Sequence, residues 1–161
     1  MATEAVVRII NAALLDEVSA EALASPRRRK NRNFHDSNEH PGHRLLNAVE
    51  PGSYVAPHRH LGAHKDETMV VLRGRLGLVL FDAAGKVSCV LVLGTDGDAL
   101  GVDIPCGTWH SILALEAGTV FFEAKAGPYR PLTTGERAPW APAEDDATAP
   151  DYLKQLASLF A

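Results

Sequence analysis

The sequence predicts an all-β domain, a sandwich or small barrel of short strands, with one helix before it and one after it. Three observations carry this. Between Arg44 and Lys125, segments rich in Val, Leu and Ile recur near 43–49, 53–58, 67–73, 75–81, 86–93, 99–104, 108–115 and 118–125. Gly or Pro punctuates them at Pro51-Gly52, Gly74, Gly85, Gly94, Gly97, Pro105, Gly107 and Gly118. No helical pattern intervenes, which argues against alternating βαβ units and for packed sheets.

The elements follow in order. Residues 11–24 read as a helix: Asn11 is a capping residue, and Leu14, Leu15, Val18 and Ala22 fall on one side. Ser25-Pro26 stops it. A basic run follows at Arg27, Arg28, Arg29, Lys30 and Arg32, and loop signals come at Asp36 to Gly42. Asp82-Ala83-Ala84-Gly85 reads as a hairpin loop within the strand region. Residues 138–150, rich in Pro, Ala and acid, read as an extended surface linker. Residues 151–160 present Tyr152, Leu153, Leu156, Leu159 and Phe160 as a short apolar-faced helix. These groups must bury against either the barrel mouth or a partner. The chain divides into a lead-in over 1–26, a β domain over 27–130 and a tail over 131–161.

Composition narrows the function. The 161 residues suffice for one domain; 46% are apolar and 22% charged, so a core forms. A net charge of −4 makes a poor general binder of nucleic acid, because that affinity comes from neutralising phosphates. Two Cys far apart do not make a disulfide scaffold. No run approaches the roughly 18 apolar residues that a membrane helix needs. Met1 to Arg8 lacks a basic region followed by an apolar stretch, so a leader is not expected and the cytoplasm is the expected location.

The most informative segment is Pro57-His58-Arg59-His60, followed by Glu67 and Gly74. On a strand, residues two apart point the same way, so His58 and His60 present two imidazoles to one face. Glu67 opens an apolar strand, where a carboxylate is costly unless paired. A cation held by the two His would pair it; the plainer reading is a rim carboxylate paired with Lys65. His64 is a rival ligand. Pro105-Cys106-Gly107-Thr108-Trp109-His110 turns the chain and offers a third imidazole at His110. Three His and one Glu suit Fe, Mn, Zn, Ni or Co without choosing among them.

Gly52, His58, His60, Glu67 and Gly74 resemble the first cupin motif, and Pro105, Gly107 and His110 the core of the second. Two departures stand out: six residues separate His60 from Glu67 where three or four are usual, and Ala114 replaces a frequent Asn. Ser25 to His35, Arg44 to Ala48 and Pro51 to His60 are similar to the WbuC-type cupin metalloproteins, in which the longer spacer also ends in Lys-x-Glu, here Lys65 and Glu67. The similarity spans about residues 8 to 125. It implies a cupin double-stranded β-helix, a jelly-roll barrel, to which the residue pattern adds the N-terminal helix and the short C-terminal helix. It also implies one divalent metal (Fe, Zn, Mn or Ni) held by His58, His60, Glu67 and His110, with no organic cofactor.

The basic segment has no apolar face. Read as a strand, it places Arg27, Arg29, Asn31, Asn33 and His35 on one side. It is either a solvated basic loop or one wall of a pocket that grips a small anion through its guanidinium groups. Arg44 joins this candidate substrate-binding set; Asn47, three residues on, should face the other way. Tyr54 shares the parity of the two His and is either a proton donor near the metal or a core residue. Cys89 reads as inert core and Cys106 as a small buried turn residue. Trp109 should face away from the site, toward packing or a subunit interface.

The expected function is a metal-dependent enzyme acting on a small anionic, sugar-like molecule by isomerisation, epimerisation or elimination. The sugar association comes from the family resemblance alone. The alternatives are an Fe(II)-dependent dioxygenase, a non-catalytic metal- or ligand-binding module, and a metal-free scaffold. A homodimer is expected, with no nucleic-acid or membrane partner.

Overall fold

The computed structural model describes residues 6–161. The reading of Met1 to Arg8 as lacking a leader therefore falls, for residues 1–5, outside the described residues. Helix α1 (Ala12–Ala24) starts where Asn11 accepts the Leu14 amide at 3.0 Å. Eight strands follow: β1 (Arg29–Asn33), β2 (Gly42–Val49), β3 (Glu67–Arg73), β4 (Arg75–Phe81), β5 (Val87–Gly94), β6 (Gly101–Ile104), β7 (Trp109–Ala114) and β8 (Thr119–Ala126). A single 3-10 turn at Thr134–Glu136 precedes helix α2 (Ala149–Ser158). Among the described residues no helix is long and apolar enough to cross a membrane.

The strands form two antiparallel sheets, ordered β1-β2-β8-β3-β6 and β5-β4-β7. This is the cupin-type jelly roll with a helix at each end. Side chains alternate across a strand, so each sheet has an inner and an outer face. The inner faces meet in a core of Val49, Met69, Val71, Leu76, Leu78, Leu93, Ile104, Ile112 and Phe121. Gly74, at φ +74, permits the sharp bend that passes the chain from one sheet to the other between β3 and β4.

Both outer faces are covered. Leu15, Val18 and Ala22 of α1 pack on Leu46, Ala48 and Val120 of the larger sheet. The tail covers the smaller sheet, where Val79, Phe81, Trp109 and Leu113 meet Ala138, Trp140, Ala149, Leu156 and Phe160. Gly77 makes room for Phe160, whose ring would lie 2.7 Å from a β-carbon there. The tail thus docks on a sheet face of its own chain. Trp109 faces away from the site as expected, but its cover is internal and it is 8% exposed.

Residues 53–58 are not the strand that their composition suggests. They run as irregular chain, with isolated bridges only from His58, to His110 and to Arg137. Cys106 is exposed rather than buried, and Cys89 is half-buried.

Candidate metal centre

Four side chains converge at one end of the jelly roll. His58 and His110 are tied by their backbones, each amide donating to the other's carbonyl at 3.0 and 2.9 Å. His60 is fixed by its own carbonyl, which accepts the Gly107 amide at 2.7 Å. Glu67 opens β3, opposite Ile104 on one side and Lys125 on the other. One ligand-capable atom from each of His58, His60, Glu67 and His110 lies within 4.8 Å of all the others.

The atoms are poised for a cation. Glu67 Oε2 lies 3.2 Å from His60 Nε2 and 3.1 Å from His110 Nε2, close enough for ion pairs. All three atoms are buried, yet none has a hydrogen-bond partner. His58 Nδ1 sits 3.0 Å from the Ala56 carbonyl and His110 Nδ1 2.9 Å from that of Thr108. With protons on those Nδ1 atoms, the Nε2 lone pairs face the carboxylate. Burial, with His110 beside it, pushes the His58 imidazole down to about 3, so it is neutral and ligand-ready. Two ligands about 2.1 Å from one ion lie roughly 3 Å apart, as these do. The donor set fits a divalent transition metal, and His58, His60, Glu67 and His110 could hold it.

Lys125, Glu123 and Asn47 form a chain of contacts behind Glu67. Burial alone would raise its pKa, but His110, His60 and Lys125 hold it well below the usual carboxylate range. Lys125 Nζ donates to Glu67 Oε1 at 2.9 Å and meets Glu123 Oε1 at 2.6 Å. Burial works against the Lys125 charge, but Glu123 and Glu67 more than restore it. Burial pushes Glu123 upward, against the pull of Lys125. Asn47 Nδ2 donates to Glu123 Oε2 at 2.7 Å. The ion pair fixes Oε1 of Glu67 and leaves Oε2 for the histidines. The partner of Glu67 is therefore Lys125, not Lys65, whose ammonium donates to the Ala126 and Pro128 carbonyls.

Above the four groups lies a cavity of about 420 Å³. Met69, Ile112 and Phe121 give it apolar walls, and Glu123 and Lys125 line it beside Glu67. Arg27, Arg29, Lys30, Asn31 and Asn47 add a polar, mostly basic wall.

The candidate anion-binding residues divide. Arg27, Arg29 and Asn31 line the chamber. Asn33 keeps their parity but lies one step beyond, its Oδ1 accepting from Asn31 Nδ2 at 2.6 Å. His35 lies past the end of β1, buried and stacked on His43 at 4.0 Å, with Nδ1 on the Arg44 backbone. Arg44 faces outward beside Phe34 and Phe122, because it lies three residues from Asn47, which faces the chamber. Tyr54 is also elsewhere: its hydroxyl donates to the Pro142 carbonyl at 2.8 Å and its ring packs edge-on to Tyr152. Strand parity does not carry from Tyr54 to His58, because the chain between them is irregular. His64 is exposed and outside the convergent group.

Sequence reasoning missed Glu123, Lys125 and Glu136. The first two were visible as charges two apart on an apolar strand. Glu136 accepts the Leu61 amide at 2.9 Å and the Thr133 amide at 2.9 Å. Its own carbonyl takes the Arg59 amide, and the Arg59 guanidinium lies 4.3 Å over Trp109. The 3-10 turn thereby braces the segment that carries His58 and His60.

A family described as a domain of unknown function (DUF6016) matches residues 10–93, about half of the chain. The chain belongs to this family. The DUF6016 match spans three of the four convergent residues and ends before His110. No curated protein matches the chain. A conserved protein of unknown function from Streptococcus pyogenes is 13% identical, with 81% of this chain and 100% of that one covered and a TM-score of 0.52. A protein from Shewanella oneidensis is 15% identical, over 62% and 68% of the two chains, with a TM-score of 0.51. A cupin 2 domain-containing protein from Halorhodospira halophila is 21% identical over 81% of each chain, with a TM-score of 0.49. For the first two, at such identities, the likeness is one of fold.

Two outcomes are expected. Lys125→Met strands two buried carboxylates and should lower the stability of metal-free protein by about 3 kcal/mol in urea denaturation. Adding Glu123→Gln should recover part of that loss; equal stability of Lys125→Met and wild type would contradict the arrangement. The second concerns pH. Thr133 and Leu61 amides hold Glu136 down to about 2, from an ordinary 4.5. Its stabilisation is complete above pH 4.5 and is lost as pH falls through 2. Glu136→Gln should therefore cost about 1 kcal/mol at neutral pH and progressively less below pH 4.5. A cost that is constant across that range would contradict this role.

Proposed function

We propose that this protein is a metal-dependent enzyme whose substrate is a small, anionic, hydroxylated molecule. The observation that carries the reading is the convergence of buried, unpaired His60 Nε2, Glu67 Oε2 and His110 Nε2, with His58, beneath a basic-walled chamber. A resident divalent metal there supplies Lewis acidity toward a carbonyl or a bound water. The protein's own residues do the rest. Arg27, Arg29 and Lys30 hold the anionic group by charge-assisted hydrogen bonds. Asn31 and Asn47 offer amides to hydroxyls or carbonyls. Met69, Ile112 and Phe121 exclude water from one side of the substrate. These roles suit isomerisation, epimerisation or elimination on a sugar-like acid or phosphate.

The test is metal analysis by plasma mass spectrometry on protein purified without a tag or chelator. The account expects near-stoichiometric transition metal that is lost in folded His60→Ala and His110→Ala. Isomerase and lyase screens then follow with the metal found. Iron accompanied by oxygen uptake would replace the isomerase reading with an oxygenase. Absence of bound metal, with no thermal shift on adding Fe, Mn, Zn, Ni or Co, would overturn the enzyme reading.

A further inference from the structure

We infer that Arg27 and Arg29 form an oxyanion subsite that Glu144 of the tail occupies in the ligand-free protein, and that a ligand's carboxylate or phosphoryl group binds by displacing it. The inference rests on the anion-binding reading above and adds an internal competitor to it. Arg27 Nη2 lies 2.9 Å from Glu144 Oε2, and Arg29 Nη2 lies 2.5 Å from Glu144 Oε1. One carboxylate thus bridges two guanidinium groups, one oxygen to each, as an incoming oxyanion would.

The position of this ion pair separates it from an ordinary surface contact. Cavities of about 420, 660 and 530 Å³ meet at Arg27, and the smallest of them is the metal chamber. Arg29 lines the metal chamber and the 660 Å³ cavity, and Glu144 lines the 660 and 530 Å³ cavities from the tail side. Arg29 is preset for a single partner: its Nη1 donates to the Tyr54 carbonyl at 2.9 Å and to Ser53 Oγ at 3.3 Å, which leaves Nη2 for the anion. Burial lowers the Arg29 pKa, and Glu144 offsets only part of that. Among the described residues Glu144 is the sole partner of the Arg27 guanidinium.

Glu144 can leave without unfolding the tail. The chain on one side of it is pinned where Tyr54 donates to Pro142 and Trp140 packs on Phe81. On the other side, α2 is held by Ala149 and Leu156. Between them Ala143–Asp146 is a turn closed by the Asp146 amide on the Ala143 carbonyl at 3.1 Å. A swing of this turn frees both guanidinium groups of their anionic partner. The ligand then pays for breaking the internal pair, so apparent affinity is reduced by the fraction of protein in which Glu144 is docked.

The test uses the full chain with its metal and compares succinate and inorganic phosphate by calorimetric titration of wild type, Glu144→Gln and Arg27→Gln. Glu144→Gln should bind the preferred probe at least about fivefold more tightly, and Arg27→Gln should bind it more weakly. In wild type, that probe should also speed amide exchange at 143–146 and leave the strands unchanged. Whichever of succinate and phosphate gains more identifies the oxyanion. Unchanged or weaker affinity in folded Glu144→Gln, no binding of either probe, or binding that leaves exchange at 143–146 unaltered would overturn the inference. If Glu144→Gln does not fold, the wild-type exchange experiment decides alone. Metal content, measured on the same samples, reports separately on the metal centre.

Discussion

The structure depends on a buried carboxylate. Glu67 is 3% exposed and begins an apolar strand, where an unpaired charge would cost several kcal/mol. The elements around it offset that cost from two sides. Strand β8 brings Lys125 alongside in register, and the His58–His60 segment and β7 bring imidazoles to the other oxygen. Lys125 neutralises Oε1 but cannot reach Oε2. That oxygen and the Nε2 atoms of His60 and His110 are buried without hydrogen-bond partners, and a cation between them would complete the charge balance. The metal reading follows from this charge balance as much as from the motif.

Coverage of the sheets explains why the chamber is where it is. Helix α1 and the tail take the two outer faces, and the two inner faces make the core. One end of the jelly roll is left open, with β1 along its rim. That strand buries almost nothing apolar, and its outward side is held by charge: Arg32 meets Glu17 and Glu21 of α1 at 3.0 and 2.5 Å. Its inward side is thereby free to carry Arg29 and Asn31 into the cavity. A strand with no apolar face exists here because a helix grips one side and a chamber uses the other.

Much of this was legible in the sequence. The limits of β3 and β4 follow from apolar runs bounded by glycine, and α1 from its capping Asn11 and its apolar side. His58, His60, Glu67 and His110 were recognisable by type and spacing, because metal ligands must alternate or follow a turn to converge. Tyr54 and Arg44 were misplaced for one reason. Parity holds only along an unbroken strand and fixes a face only relative to a known neighbour. The chain from Tyr54 to His58 is irregular, and Asn47 takes the inward direction that Arg44 would need. Glu144 was invisible, since its place over Arg27 and Arg29 arises from the docking of a tail 115 residues away from Arg29 in sequence.

The measurement that bears most directly on this account is X-ray absorption at the edge of the metal bound to the full-length protein. The account predicts a first shell at about 2.0–2.2 Å with the multiple-scattering signature of three imidazoles, falling to two in His110→Ala. A first shell of light atoms without imidazole scattering, or one unchanged in His110→Ala, would contradict a metal centre built from His58, His60, Glu67 and His110.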